Sequence, residues 1–356
     1  MARRSRSARS ALALCAALAA ACAAPAPPPA PSVVSAVARE PDLTGTLRTH
    51  HTVKEDTLID LARDNGLGYI EVVAANPGVD PWLPGERDVV LPTARLLPPA
   101  ALRKDILINI AEQRLYYFGK GGPLSFAIGV GREGINTPLG VTSVTRKREK
   151  PSWYPGPSAR HDDPTLPARV PPGPDNPLGE HAVYLGWPSY LIHGTNEPFG
   201  IGRRSSRGCV RLYPEDIKRL FPLVKKGMQV RVINEPVKLG WSQGELYLEV
   251  HPTLDQAGQL EDTGHYDPAA IPDLEERIRK QAANQVDRLD WELIKQTAEA
   301  RLGVPVQITR SAVAERELPL FQRFLRSLTS TLVDTATTQP ARPPTRSDDA
   351  PPKPLR

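Results

Sequence analysis

The chain has 356 residues, 40% hydrophobic and 24% charged, which is ordinary for a globular protein of two or three domains. Its formal charge of +5 rests largely on Arg3, Arg4, Arg6 and Arg9; without them 41 basic residues face 40 acidic ones. No basic run with interleaved aromatics appears elsewhere, which argues against a nucleic-acid partner.

Residues 1–24 read as a bacterial-type export signal, a basic start followed by an apolar run from Ala11 to Ala21 that is too short to span a bilayer as a mature helix. Ala19-Ala20-Ala21-Cys22 fits two cleavage sites equally, a lipoprotein site that leaves Cys22 lipidated and an ordinary signal-peptidase site. Either places the protein in the periplasm, and a lipid on Cys22 is the one membrane attachment expected. Residues 25–47, with five prolines between Pro25 and Pro31, read as linker.

From 48 to 95 the pattern predicts strand, helix, helix, strand. Asp56 is placed to N-cap a helix with Leu58, Leu61 and Ala62 on its apolar face, and Gly66 and Gly68 end it. A second helix runs from Tyr69 to Ala75 and stops at Asn76-Pro77-Gly78; Val89-Val90-Leu91 returns as a strand. Thr52-Val53, Asp56-Thr57-Leu58, Leu61-Ala62, Asn76-Pro77 and Leu83-Pro84-Gly85 make this unit resemble a LysM domain, a module that binds glycans containing N-acetylglucosamine. Glu55 departs from that pattern, where glycine is usual.

Residues 104–234 are strand-rich, with a hairpin over Ile106–Ile110 and Leu115–Phe118 and further strands at 125–130, 141–146, 182–185, 191–193 and 229–233. Pro214 opens one helix. Lys150–Pro177 carries nine prolines, too long and rigid for a turn, and reads as a lid over an active site. Beyond it, 235–310 forms an extension with a strand at 244–250 and one amphipathic helix over 272–302, stopped at Gly303. Residues 335–356, with six prolines from Pro340 to Pro354, read as a disordered tail.

Outside the export signal, which takes Cys15 and Cys22, the one cysteine is Cys209. It has no partner for an internal disulfide, so it is either a small buried hydrophobe or a reactive thiol. Its surroundings favour reactivity. Leu191-Ile192-His193-Gly194-Thr195-Asn196 delivers a histidine on a strand, and Ser206-Arg207-Gly208-Cys209-Val210-Arg211 brings the thiol after a glycine. A thiol attacks as thiolate and needs a base, which His193 supplies, while Arg207 and Arg211 add positive field. Gly208 lets backbone N–H groups face an oxyanion. With no carboxylate close in sequence, the Gly194 carbonyl is the candidate for orienting the imidazole. A metal site built from His193 and Cys209 with His161 or His181 lacks zinc spacing, so neither metal nor cofactor is expected.

His193-Gly194-Thr195-Asn196 and Ser206-Arg207-Gly208-Cys209-Val210-Arg211 together resemble the signature of the L,D-transpeptidase catalytic domain. Asn176-Pro177-Leu178-Gly179 and Tyr247-Leu248-Glu249-Val250-His251-Pro252 extend the likeness toward its ErfK/YbiS branch. Arg207 stands where many members carry a second histidine. The resemblance implies a β-sandwich catalytic domain with a short helix, beside the small α+β N-terminal unit and the helical extension. It implies that Cys209 forms a thioester with the diaminopimelate carbonyl of a peptidoglycan tetrapeptide stem, releases D-alanine, and passes the acyl group to an amine. That amine belongs to another stem, giving a 3→3 cross-link, or to an anchored lipoprotein. His193 would move the proton, Gly194 orient it, Gly208 donate to the oxyanion, and Arg211, Thr195, Asn196 and Ser206 contact substrate. The alternatives are a hydrolase using water on the same site and a non-enzymatic wall-binding lipoprotein.

Overall fold

The computed structural model describes residues 41–310; the export signal, the proline-rich start of the linker and the 335–356 tail lie outside them. The chain opens with β1 (Leu43–Thr44) and β2 (Arg48–His51), then α1 (Leu58–Asp64), α2 (Tyr69–Ala75), β3 (Asp88–Leu91) and β4 (Arg95–Leu96). The expected strand–helix–helix–strand order is present, and β2 pairs antiparallel with β3. The linker expectation fails from residue 41 onward, because β1 pairs with β4 and Asp42 accepts the Trp241 N–H at 2.9 Å. Thr57, not Asp56, caps α1: its hydroxyl accepts the Asp60 N–H at 3.0 Å, while Asp56 is taken by Val53 N–H and His50.

The central region contains β5 (Asp105–Asn109), β6 (Arg114–Gly119), β7 (Gly122–Gly131), β8 (Gly140–Glu149), α3 (Pro157–Asp162), β9 (His181–Leu185), β10 (Leu191–His193), β11 (Arg204–Ser206), β12 (Val210–Leu212), α4 (Pro214–Leu220) and β13 (Gln229–Ile233). Nine strands form one sheet in the order β11-β7-β12-β10-β9-β8-β13-β5-β6, and β6 also pairs with β7. The sheet therefore closes on itself and is not a sandwich of two sheets. Closure comes from β7, ten residues long: its first half pairs with β6 and its second half with β12 and β11. A closed sheet removes unpaired edges. Ile106, Ile108, Leu115, Phe126, Ile128, Ile192, Val210 and Leu212 fill the core together with Ile217 and Leu220 of α4.

The extension adds β14 (Val237–Ser242), β15 (Glu245–Val250), α5 (Leu254–Thr263), α6 (Leu274–Ala282), α7 (Trp291–Ala300) and β16 (Val306–Gln307). The single helix expected over 272–302 is broken. Ala283 takes φ +52°, a 3-10 stretch follows to Arg288, and the Asp290 side chain accepts the Leu293 N–H at 3.2 Å to start α7 afresh. Arg301, in the left-handed region, ends α7 two residues before Gly303.

The three parts share cores. Ile59, Tyr69, Ile70, Val73 and Ala74 pack on Ala257 and Leu260, and Ala75 and Val90 on Leu293, Val304 and Val306. Between the N-terminal unit and the sheet, Arg114 is 1% exposed and donates to Glu71 (3.2 Å) and to the Gly66 carbonyl (2.7 Å). The N-terminus of α2 rests on the loop leading to Cys209: Tyr69 and Ile70 N–H donate to the Ile201 and Gly202 carbonyls, each at 3.2 Å. These are helix N–H groups that no intrahelical acceptor can serve. The fit depends on two glycines, since a Cβ on Gly68 would lie 2.7 Å from Gly202 Cα.

Candidate active site

Strands β10 and β12 run parallel with Ile192 opposite Val210 and His193 opposite Arg211. Alternation turns Ile192, Val210 and Leu212 into the core and sets His193 and Arg211 on the other face; Cys209, two residues before Arg211, shares that face. The period of two that buries the core thus gathers the three reactive side chains on adjacent strands. All three line one cleft of about 860 Å³. The same cleft is lined by the proline-rich segment expected as a lid, including Trp153, Pro157, Ala159, Leu166 and Val170. That segment is ordered by Asn176, fully buried, whose amide donates to the carbonyls of Pro151 (2.8 Å) and Pro171 (3.0 Å).

His193 is 3% exposed, and its Nδ1 lies 2.6 Å from the Gly194 carbonyl oxygen. A carbonyl only accepts, so Nδ1 carries the proton and Nε2 keeps its lone pair. Burial, and then the charge of Arg211, push the imidazole down to about 3, against the pull of Gly194. Burial pushes the Cys209 thiol up, partly offset by the Leu191 backbone and by Arg211. Its Sγ is 3.5 Å from the Ser189 carbonyl. Both shifts disfavour the charged forms, so they run against a thiolate–imidazolium pair at rest. Burial also lowers Arg211, while Glu197 raises it, and its Nε has no protein partner.

The turn before the thiol is held by Ser206, whose hydroxyl donates to the Cys209 carbonyl (2.5 Å) and accepts the Gly208 N–H (3.1 Å). The Gly208 carbonyl accepts from Thr137 Oγ1 at 3.0 Å. Gly208 has φ +93°, and a Cβ there would sit 2.8 Å from the Tyr190 ring. Here the expectation for Gly208 is corrected: its N–H is engaged by Ser206, so this glycine shapes the turn and does not offer a free oxyanion donor. Ser206 is likewise committed to backbone. Thr195, 4% exposed, accepts the Glu197 N–H at 2.9 Å, which braces the loop, and it is not among the residues lining the cleft. Asn196 is exposed and does line the cleft.

Sequence reading missed the partner of Arg207. Its Nε and guanidinium NH2 lie 3.1 and 2.9 Å from Asp162 Oδ2, and Arg132 reaches the same oxygen at 2.5 Å. First Arg207 and then Arg132 hold the Asp162 carboxyl below its usual range. The carboxylate closes α3 of the lid onto the residue two before the thiol, across 45 positions of sequence with no local signal. Elsewhere Glu112, Glu249 and His251 bring three ligand atoms within 4.8 Å of one another. Lys238 Nζ sits among them, 2.5 Å from Glu112 and 2.6 Å from Glu249, so an ammonium already serves as their cation.

Residues 103–232 match the family model of the L,D-transpeptidase catalytic domain, YkuD. Probable L,D-transpeptidase YcfS of Escherichia coli K12 is 38% identical over 281 residues, 75% of this chain and 86% of that relative. The chain belongs to the L,D-transpeptidase family. Probable L,D-transpeptidase ErfK/SrfK of the same organism is 39% identical over 275 residues, again 75% of this chain and 86% of the relative. Among solved structures, the catalytic domain of the E. faecium L,D-transpeptidase is 25% identical and covers 36% of this chain and 96% of that one, with a TM-score of 0.29. In this L,D-transpeptidase the matched segment contains the closed sheet, the lid, His193 and Cys209; the N-terminal unit and the extension lie outside it.

Proposed function

We propose that this L,D-transpeptidase acts on peptidoglycan by acyl transfer through Cys209. The observation that carries the reading is the placing of Cys209, His193 and Arg211 on one face of β10 and β12, open to one cleft, with Nδ1 tied to Gly194. The substrate is a tetrapeptide stem, attacked at the diaminopimelate carbonyl. As sulfur bonds to that carbon, the thiol proton passes to His193 Nε2. The Cys209 N–H, adjacent to the sulfur, donates to the oxyanion. Collapse breaks the C–N bond, His193 returns the proton to the departing D-alanine nitrogen, and a thioester remains. An acceptor amine then loses its proton to Nε2, attacks the thioester, and releases Cys209 as thiol. With both groups biased toward their neutral forms, charge develops mainly as sulfur bonds to carbon, which leaves the thiol a weak nucleophile near neutrality when no substrate is bound. The acceptor is a second stem or a lysine of an anchored lipoprotein.

The N-terminal unit belongs to the same reading as a LysM-like glycan grip. Val53, Trp82 and Leu83 stand exposed beside α1, and an aromatic with a bare face suits a sugar ring. Export to the periplasm, with or without a lipid on Cys22, completes the proposal. Purified protein incubated with disaccharide-tetrapeptide should release D-alanine and form 3→3 dimers, and Cys209→Ala should do neither. Release that persists in Cys209→Ala overturns the mechanism.

A further inference from the structure

Strand β8 carries a second set of charges into the cleft. Arg146 and Arg148 both line it, while Lys147, between them, turns to the other face, where its Nζ is 2.5 Å from the Phe221 carbonyl. Across the sheet Arg148 pairs with Ala182, Ala182 with His193, and His193 with Arg211. Arg146 pairs with Tyr184, and Tyr184 with Leu191. Neighbouring strands are about 4.8 Å apart, so the Arg148 backbone lies roughly 10 Å from that of His193.

Both arginines are exposed on the cleft wall. Neither has an acidic partner among the described residues, whereas Arg63, Arg132, Arg203 and Arg207 are all paired. Arg146 stacks over the Tyr184 ring at 3.6 Å, which fixes its plane and leaves its edge for two parallel hydrogen bonds. The acids on the cleft wall are Asp163, Asp175 and Glu197; Asp163 is occupied by Thr165 and Glu197 lies toward Arg211.

We propose that Arg146 and Arg148 form a carboxylate subsite that binds the donor peptide upstream of the bond attacked by Cys209. This rests on the acyl-transfer reading above. Two carboxylates of a stem peptide have the right chemistry: the side-chain carboxylate of diaminopimelate and that of the γ-linked glutamate before it. Two to three residue lengths of extended chain, roughly 7–10 Å, separate either from the attacked carbonyl. That span matches the two strand spacings between the reactive row and β8.

The test is steady-state turnover of disaccharide-tetrapeptide by wild type, Arg146→Gln, Arg148→Gln and the double variant. KM should rise about tenfold for each arginine and on the order of a hundredfold for both, with kcat falling far less. Two donors, one amidated at glutamate and one at the diaminopimelate side chain, identify the carboxylate. The correct one raises KM for wild type and removes the difference between wild type and double variant. Lysine at both positions should recover part of the KM, which a folding defect would not allow. Wild-type turnover with an unchanged KM in the double variant removes the subsite alone. No turnover by wild type removes the acyl-transfer reading itself.

Discussion

Gly202→Ala should destabilise the protein well beyond the cost of its backbone angle. Gly202 has φ +77°, and a Cβ there would lie 2.0 Å from Tyr69 N and 2.4 Å from Gly68 Cα. Both contacts are backbone, so no rotamer relieves them, and the loop must leave α2. The angle alone costs about 1–2 kcal/mol for alanine. Losing the bonds from Tyr69 and Ile70 N–H adds about 1 kcal/mol each. The expected loss is about 3–4 kcal/mol, a fall in Tm of about 10 °C for a domain of this size. Gly227→Ala is the internal control: φ is +89° and nothing lies within 4 Å of its Cβ, so only the angle counts. Its Tm should fall by about 4 °C. Scanning calorimetry reads both, and alkylation of Cys209 by iodoacetamide should change rate only in Gly202→Ala. Equal Tm losses would refute the reasoning, because they would mean that the junction yields freely.

Four further outcomes are expected. His193 is held down to about 3, so its stabilising contribution is present above its unfolded value of 6.5 and is lost as pH falls toward 3, at about 1.4 kcal/mol per unit. Asp216, raised by burial to about 6, has the opposite sign and adds stability as pH falls from 6 to 3.8; Asp216→Asn should steepen acid unfolding in urea titrations, and an unchanged slope would contradict this. Because burial raises the Cys209 thiol, its alkylation should keep accelerating past pH 9, and a plateau near neutrality would instead reveal a preformed thiolate–imidazolium pair. Lys238→Met strands two carboxylates, Glu112 and Glu249, that are 1% and 0% exposed, and should cost about 3–5 kcal/mol in urea unfolding; a loss below about 1 kcal/mol would show that the pair is not buried as described.

The reactive residues were legible because strand alternation writes them locally: His193, Cys209 and Arg211 stand at positions where apolar neighbours already define the inward face. That 150–177 would be a distinct segment at the cleft was legible from proline density, and the order of the N-terminal elements from apolar spacing. What escaped depends on distant partners. Closure of the sheet needs two strands to share β7, which no local pattern announces. Ser206 satisfies the Gly208 N–H through a turn whose shape the residue types do not specify. The break at Ala283 follows from a backbone angle that alanine rarely adopts, stabilised by packing of α6 and α7 on β14 and β15. Docking of α2 on Gly202 joins positions more than a hundred residues apart.

That docking has a mechanical consequence. A binding module on a flexible tether raises the effective concentration of its partner over a range of separations. Here residues 97–104 are all that lie between β4 and β5, and the N-terminal unit packs on the extension while Arg114 and the Gly202 loop bond it to the sheet domain. The exposed face of that unit is therefore held at one distance and one angle from the thiol. With the glycan grip proposed above, the chain would work as a gauge, reaching stem peptides at one offset from that grip and passing over those nearer or farther.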